Sequence, residues 1–331
     1  MQEKYNFVGK GLQMKDKEET SQTLENWQKQ GSLKFDNELE KTEEEIIKIK
    51  KVENAINEEL SYLGLNPDFV IQANEVHIIF QKIGNPLILE NGVFNSGDGQ
   101  IKIIRDNNPM RFLLNITYQL TSKAFNKNVE KREKEFRTLI HESTHKASHL
   151  KYIVNVKEKK LDSYRTGYRL AGREDSNLFL GLNEAVVEKT TKDILSHIHS
   201  LKNENFKKIQ DVNFNSRSGY WSQLLTLNKI LEKIAQKKNE KKEDVWSRFK
   251  KGQFTGEMMH LRDIEKVFGP GSLRVIASMG GIDSDLSKQF LYYSYFSTDS
   301  NSVKNLIAKF LLSNVEKKKY DNHINKMKEN N

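Results

Sequence analysis

The sequence predicts an α+β fold, and three observations carry that expectation. Short β-branched runs cluster between residues 76 and 104, bounded by Asn85-Pro86 and by Gly97-Asp98-Gly99. Apolar residues recur at helical spacing in the segments on both sides, and the longest of these is almost free of Gly and Pro. Runs of strands set apart from runs of helices read as α+β rather than as an alternating α/β sheet. With 331 residues the chain can bury a sizeable core. No self-similar period marks it as a repeat array.

Element by element, residues from about 15 to 60 are charge-rich, with Leu39, Ile46, Ile47, Ile49, Val52, Ile56, Leu60 and Leu63 at helix-compatible spacing. This pattern predicts one long amphipathic helix, a charged arm over residues 1–65. Beyond Pro67, residues 76–80, 92–94 and 100–104 read as strands of a small antiparallel or mixed sheet. Helical spacing returns with Phe112, Leu113, Ile116, Leu120 and Ala124, and again over 131–150 with Phe136, Leu139, Ile140, Ala147 and Leu150. The segment 162–182 contains Gly167, Gly172 and Gly181 and reads as a hairpin or irregular loop, with another helix expected near Asn183. From Trp221 onward the pattern is helical, interrupted at Gly269-Pro270-Gly271 and Gly280-Gly281. The expected organisation is therefore an arm over 1–65, a core over 66–200, a helical subdomain over 201–315 and a basic polar tail over 316–331. The tail and the lysine-rich stretch 236–242 are expected to be exposed.

Composition narrows the chemistry. There is no cysteine, which excludes disulfides, thiolate-held zinc, iron–sulfur clusters and a thiol nucleophile. Any metal must be held by His and carboxylates. The first thirty residues are polar and no run approaches the roughly 18 apolar residues of a membrane span, so the expectation is a soluble, cytoplasmic protein without a membrane partner. Lys+Arg number 54 against 45 Asp+Glu, but the signs are interleaved, as on a solvated surface rather than along a nucleic-acid stripe.

Among only 8 histidines, two fall in His141-Glu142-Ser143-Thr144-His145, an HExxH motif within a predicted helix. Residues i and i+4 project from one helical face about one turn apart, so both imidazoles can approach a single ion. Glu142 is offset around the helix and can reach a water on that ion, where it would act as general base. A catalytic zinc keeps three protein ligands and an open position, so a third ligand must come from elsewhere. Downstream, Asn183-Glu184-Ala185-Val186-Val187-Glu188 again sets two carboxylates four residues apart. One can ligate while the other accepts the remaining N–H of a metal-bound imidazole, fixing the ring. Glu184 is the expected ligand and Glu188 the expected support.

Together these residues resemble the gluzincin metallopeptidases, the zincin group that includes thermolysin and the anthrax lethal factor protease domain. Their pattern is HExxH followed by a helix bearing Glu, often preceded by Asn, with a carboxylate four positions later. The match is His141-Glu142-Ser143-Thr144-His145 with Asn183-Glu184-Ala185-Val186-Val187-Glu188, across a connection longer than thermolysin's. The resemblance covers roughly residues 70–200. It implies a zincin-like core, a Zn²⁺ ion on His141, His145 and Glu184, Glu188 holding His141, Asn183 accepting from His145, and hydrolysis of a peptide or protein substrate.

His149 extends the His141, His145 ladder by one more step. On a regular helix, however, i and i+8 lie about 12 Å apart along the axis, too far to share one ion at about 2 Å, so a helix-end role is expected. Metzincins would place Gly and a third His further on, where Lys151 stands here. Peptide hydrolysis also needs a donor to the developing oxyanion. Gluzincins commonly use a Tyr or His outside the two motifs; Tyr164, Tyr168, Tyr220 and His260 are candidates, with Tyr168 and Tyr220 leading. Arg165, Arg169 and Arg173 could bind a substrate carboxylate, although solvated loop charges are commoner. His77, His197 and His199 are expected to be structural. The strand Gln100–Arg105 is the expected edge for pairing with extended substrate. The alternative function is a non-catalytic or regulatory zinc-binding protein acting through a protein or nucleic-acid partner. A third reading is a helical structural protein with a relic motif and no stoichiometric metal.

Overall fold

The computed structural model describes residues 6–8, 38–81, 92–95, 100–106, 127–155, 160–171, 177–200 and 220–280. Within them the chain mixes helices with two small sheets, as expected of α+β. None of the described helices is long and apolar enough to cross a membrane.

The first helix, α1, spans Glu43–Tyr62. Thr42 starts it: its hydroxyl accepts the Glu45 N–H, and the Glu45 carboxylate accepts the Thr42 N–H at 2.7 Å. Just before it the Leu39 N–H donates to the Ile78 carbonyl at 2.8 Å, and Glu38 bridges Ile79. Of the single helix expected from about 15 to 60, residues 15–37 lie outside the described residues, and the expectation is corrected over 38–42. The reciprocal cap at Thr42 and the strand-like bonds of 38–39 override a charge-rich pattern that favoured helix throughout. Ile49, Val52, Ala55, Ile56 and Leu60 form the buried stripe of α1. Two residues one turn apart on one face hold the following loop: Glu53 accepts the Ile71 N–H, and Asn57 bonds both the N–H and the carbonyl of Phe69.

Strands β2 (Val76–Gln81), β3 (Gly92–Asn95) and β4 (Gln100–Asp106) form a three-stranded sheet in the order β2-β4-β3, with β1 reserved for Asn6–Val8. The sheet is mixed. Val76 and Ile78 pair in parallel with Ile101 and Ile103, and Gly92 and Phe94 pair antiparallel with Ile103 and Ile101. Val76, Ile78, Ile101 and Ile103 alternate along their strands and are buried together. The central strand is β4, so the edge expected at Gln100–Arg105 is already paired on both sides. Among the described residues β3 is the edge beside the HExxH helix.

That helix, α2, runs from Lys127 to Ala147 and packs against α1, β3 and β4. The helical spacing noted over 112–124 lies outside the described residues. Where the sequence pattern continued the helix to 150, the chain instead bends at Ser148 and enters strand β5 (Leu150–Asn155). This strand pairs antiparallel with β6 (Lys160–Thr166), and β1 adds to it in parallel. After a turn at Gly167, whose φ is +57°, come β7 (Arg169–Ala171) and β8 (Asn177–Leu178); the strand order is β1-β5-β6-β7-β8. The segment expected to be a hairpin or irregular loop carries antiparallel pairing of β7 with β8, and residues 172–176 lie outside the described residues.

Helix α3 (Leu180–Ser200) starts three residues ahead of its expected position. It is followed by α4 (Trp221–Lys238), α5 (Lys242–Thr255), α6 (Arg262–Phe268) and α7 (Ser272–Ala277). Asn239 and Gly256 close α4 and α5 in the left-handed region, and Gly269-Pro270-Gly271 separates α6 from α7. Two compact units result, one of residues 1–166 with 190–204 and one of 167–189 with 205–331. In the second, Tyr168, Leu182, Val186, Leu227, Ile230, Leu231, Ile234 and Phe249 belong to one apolar core.

Candidate metal centre

The HExxH helix brings its two imidazoles together as the spacing predicts. His141 Nε2 lies 3.2 Å from His145 Nε2, and the rings meet edge to face with centroids 4.9 Å apart. Two ligands held at ~2.0–2.1 Å in a tetrahedral shell are about 3.4 Å from each other, so the pair stands at ligand spacing. One carboxylate oxygen of Glu184 completes a group in which the ligand atoms of all three residues lie within 4.8 Å of one another. All three residues are buried, and among the described residues they are the one cluster of this kind. Two imidazoles and a carboxylate, converging where water is scarce, can hold a divalent metal ion.

Several contacts fix α2 in this register. Lys146 pairs with Glu75 at 2.7 Å, both mostly buried. The Thr144 hydroxyl donates to the Ile140 carbonyl and the Ser148 hydroxyl to the Thr144 carbonyl, while Leu139 and Ile140 are buried. Glu142 is itself buried and faces the edge strand. A Cβ built on Gly92 of β3 would stand 2.4 Å from Thr138 Cγ2, 3.0 Å from Glu142 Cγ and 3.3 Å from Glu142 Oε1. Only glycine lets the strand pass so near the expected general base.

The remaining candidates separate. His149 lies beyond the helix end, outside the metal-holding group; burial, with the nearby Arg165 and Lys151 charges, pushes its pKa down to about 4. Glu188 is buried one turn beyond Glu184 on α3. Asn183 has a job the sequence does not show. Its Oδ1 accepts the Tyr168 N–H and the Gln253 Nε2–H, each at 3.0 Å. Those two donors tie that oxygen to the turn at Tyr168 and to α5.

Tyr168 is corrected as an oxyanion donor. It is fully buried, and its hydroxyl donates to the Phe249 carbonyl at 2.7 Å while lying 2.6 Å from His260 Nε2. His260 is the matching donor, as a neutral ring: burial, then the nearby Arg248, holds its pKa down at about 4. Tyr220 is half-buried at the start of α4, and Tyr164 is half-buried in β6. His77 is buried in β2 and bonded to Glu38 at 2.9 Å; His197 lies 3.3 Å from Glu58 on an exposed surface. Arg169 bonds the Asn177 side chain, and Arg173 lies outside the described residues. Sequence reasoning missed Gly92 and Gln253. A lone Gly at a strand start and a lone Gln within a helix carry no spacing that would single them out.

Searches with protein-family models, with curated proteins and with solved structures find no match to this chain.

Proposed function

We propose that this chain is a zinc metallopeptidase of gluzincin type, with a zincin-like core and a peptide or protein as substrate. The observation that carries the reading is the convergence of Glu184 of α3 with His141 and His145 of α2, the helix that also presents Glu142 one residue from the first ligand. Zinc, when bound, supplies Lewis acidity toward a carbonyl and lowers the pKa of water. In this reading Glu142 takes the proton from the attacking water and later gives it to the leaving amine. Burial of that carboxylate keeps it clear of bulk water and favours proton exchange with the bound substrate. Glu188 steadies the His141 ring by accepting its second N–H. Strand β3, an edge among the described residues and close to Glu142 at Gly92, pairs with extended substrate. Tyr220 is the leading candidate for the oxyanion donor.

Glu142→Gln tests the assignment. With zinc content unchanged, hydrolysis of unfolded protein substrates should fall by roughly 10²–10⁴-fold, the usual contribution of a positioned acid–base group. Retained hydrolysis would remove the general-base role. A metal-loaded wild type that cleaves no peptide would favour the regulatory zinc-binding alternative.

A further inference from the structure

The helix turn that carries Glu184 is clamped within the second compact unit. Phe179, just before α3, adopts φ +59°, a conformation that a bulky residue holds only when its surroundings dictate it. Its N–H donates to the Ala277 carbonyl at 2.7 Å, and the Gly181 N–H donates to the Met279 carbonyl at 2.9 Å. These bonds satisfy N–H groups that a helix start leaves without intrahelical partners. A Cβ on Gly181 would stand 2.5 Å from the Gly280 carbonyl oxygen, so the two segments meet at backbone contact.

The opposite side of the same turn is held by Asn183. Because the Tyr168 backbone N–H can only donate, the Asn183 atom that receives it is the oxygen, and Gln253 Nε2–H reaches that same oxygen. Asn183 is 1% exposed and Gln253 0% exposed, so no water competes for this bond. The fit leaves no slack: a Cβ on Gly167 would lie 2.1 Å from Gln253 Nε2 and 2.7 Å from Asn183 Oδ1. One on Gly252 would lie 2.3 Å from the Tyr168 hydroxyl.

Resting on the metal-site reading above, we propose that Gln253 is a positioning residue for the metal centre: through Asn183 it fixes the first turn of α3 and hence the direction of the Glu184 carboxylate. Gln253 touches no reacting atom in this role. It sets how well the third ligand meets the ion that the two histidines hold.

The test measures zinc affinity of the full chain by competition with a chromophoric chelator, together with the visible absorption of the Co²⁺-substituted protein. Wild type is compared with Gln253→Met, Gln253→Glu and a core control, Leu231→Ala. Both Gln253 variants should weaken zinc by roughly 10- to 100-fold, the usual effect of losing a group that orients a ligand, and should change the Co²⁺ spectrum. Leu231→Ala should lower the melting temperature and leave both unchanged. Should Gln253→Met not fold, Gln253→Glu decides, because it keeps the shape and replaces the N–H donor by a carboxylate oxygen that Asn183 Oδ1 repels. Wild-type affinity and spectrum in the Gln253 variants, or an equal loss in Leu231→Ala, would overturn the proposal while leaving the metal site intact. A wild type that binds no zinc would defeat the metal-site reading and this inference with it.

Discussion

The two helices that supply the candidate ligands are organised by different means. In α2 the pair His141 and His145 follows from helix geometry alone: four residues set the Nε2 atoms 3.2 Å apart. In α3 the spacing of Glu184 and Glu188 says nothing about where the first turn points. That is set by Ala277, Met279, Tyr168 and Gln253, all remote in sequence. A ligand pair on one helix is therefore locally encoded, whereas the third ligand depends on packing. The same contrast explains why a short motif can be recognised by eye and its completing residue only conjectured.

The largest effect that could break this comparison is on metal content. Glu184→Ala should lower zinc affinity by more than the roughly 10–100-fold typical of an orienting residue, because it removes a ligand outright. His149→Ala should leave stoichiometric zinc, since His149 is outside the group. Elemental analysis of protein purified without chelator or a His-rich tag distinguishes the two. Equal loss in both variants would return the third-ligand assignment to the histidine ladder.

Next in size is Gly167→Ala. The positive φ and the sub-contact distances to Gln253 and Asn183 together should destabilise the fold by about 2–5 kcal/mol in denaturant unfolding. An unchanged midpoint would mean that the turn and α5 can separate without penalty, and that the clamp on α3 is loose.

The smallest effect is the dependence of stability on pH. His149 and His260 are both held neutral, with pKa values near 4 against an ordinary 6.5. The unfolded chain takes up protons below about pH 6.5 that the folded chain refuses until about pH 4. Stability from this source is therefore complete above pH 6.5 and is lost as pH falls toward 4. Unfolding of metal-free protein across that window should show a shallower acid slope in His260→Phe than in wild type. An identical slope would show that His260 does not remain neutral in the Tyr168 network.

Much of the fold was legible because periodicity reports local burial. The strands at 76, 92 and 100, the stripe of α1 from Ile49 to Leu60 and the break at Gly269-Pro270-Gly271 all follow from it. Strand β5 was missed because Leu150 satisfies a helical pattern as well as a strand pattern, although Tyr152 and Ile153 already favour a strand. The true edge of the sheet was missed for a different reason. Both β3 and β4 read as short strands, and only pairing decides that β4 lies between two neighbours.

By itself the sequence determined the α+β class, the absence of thiol chemistry, the imidazole pair and the nearby carboxylate at Glu142. Each is a property of residue type or of spacing within one helical turn, where the backbone repeat fixes distance. Tertiary structure alone decided that Glu184 joins the two histidines while His149 does not. It also decided that the Tyr168 hydroxyl is committed to the Phe249 carbonyl and that Asn183 receives Tyr168 and Gln253. Those outcomes depend on which remote groups the fold brings to a buried donor or acceptor, and such a bond leaves no trace in local spacing.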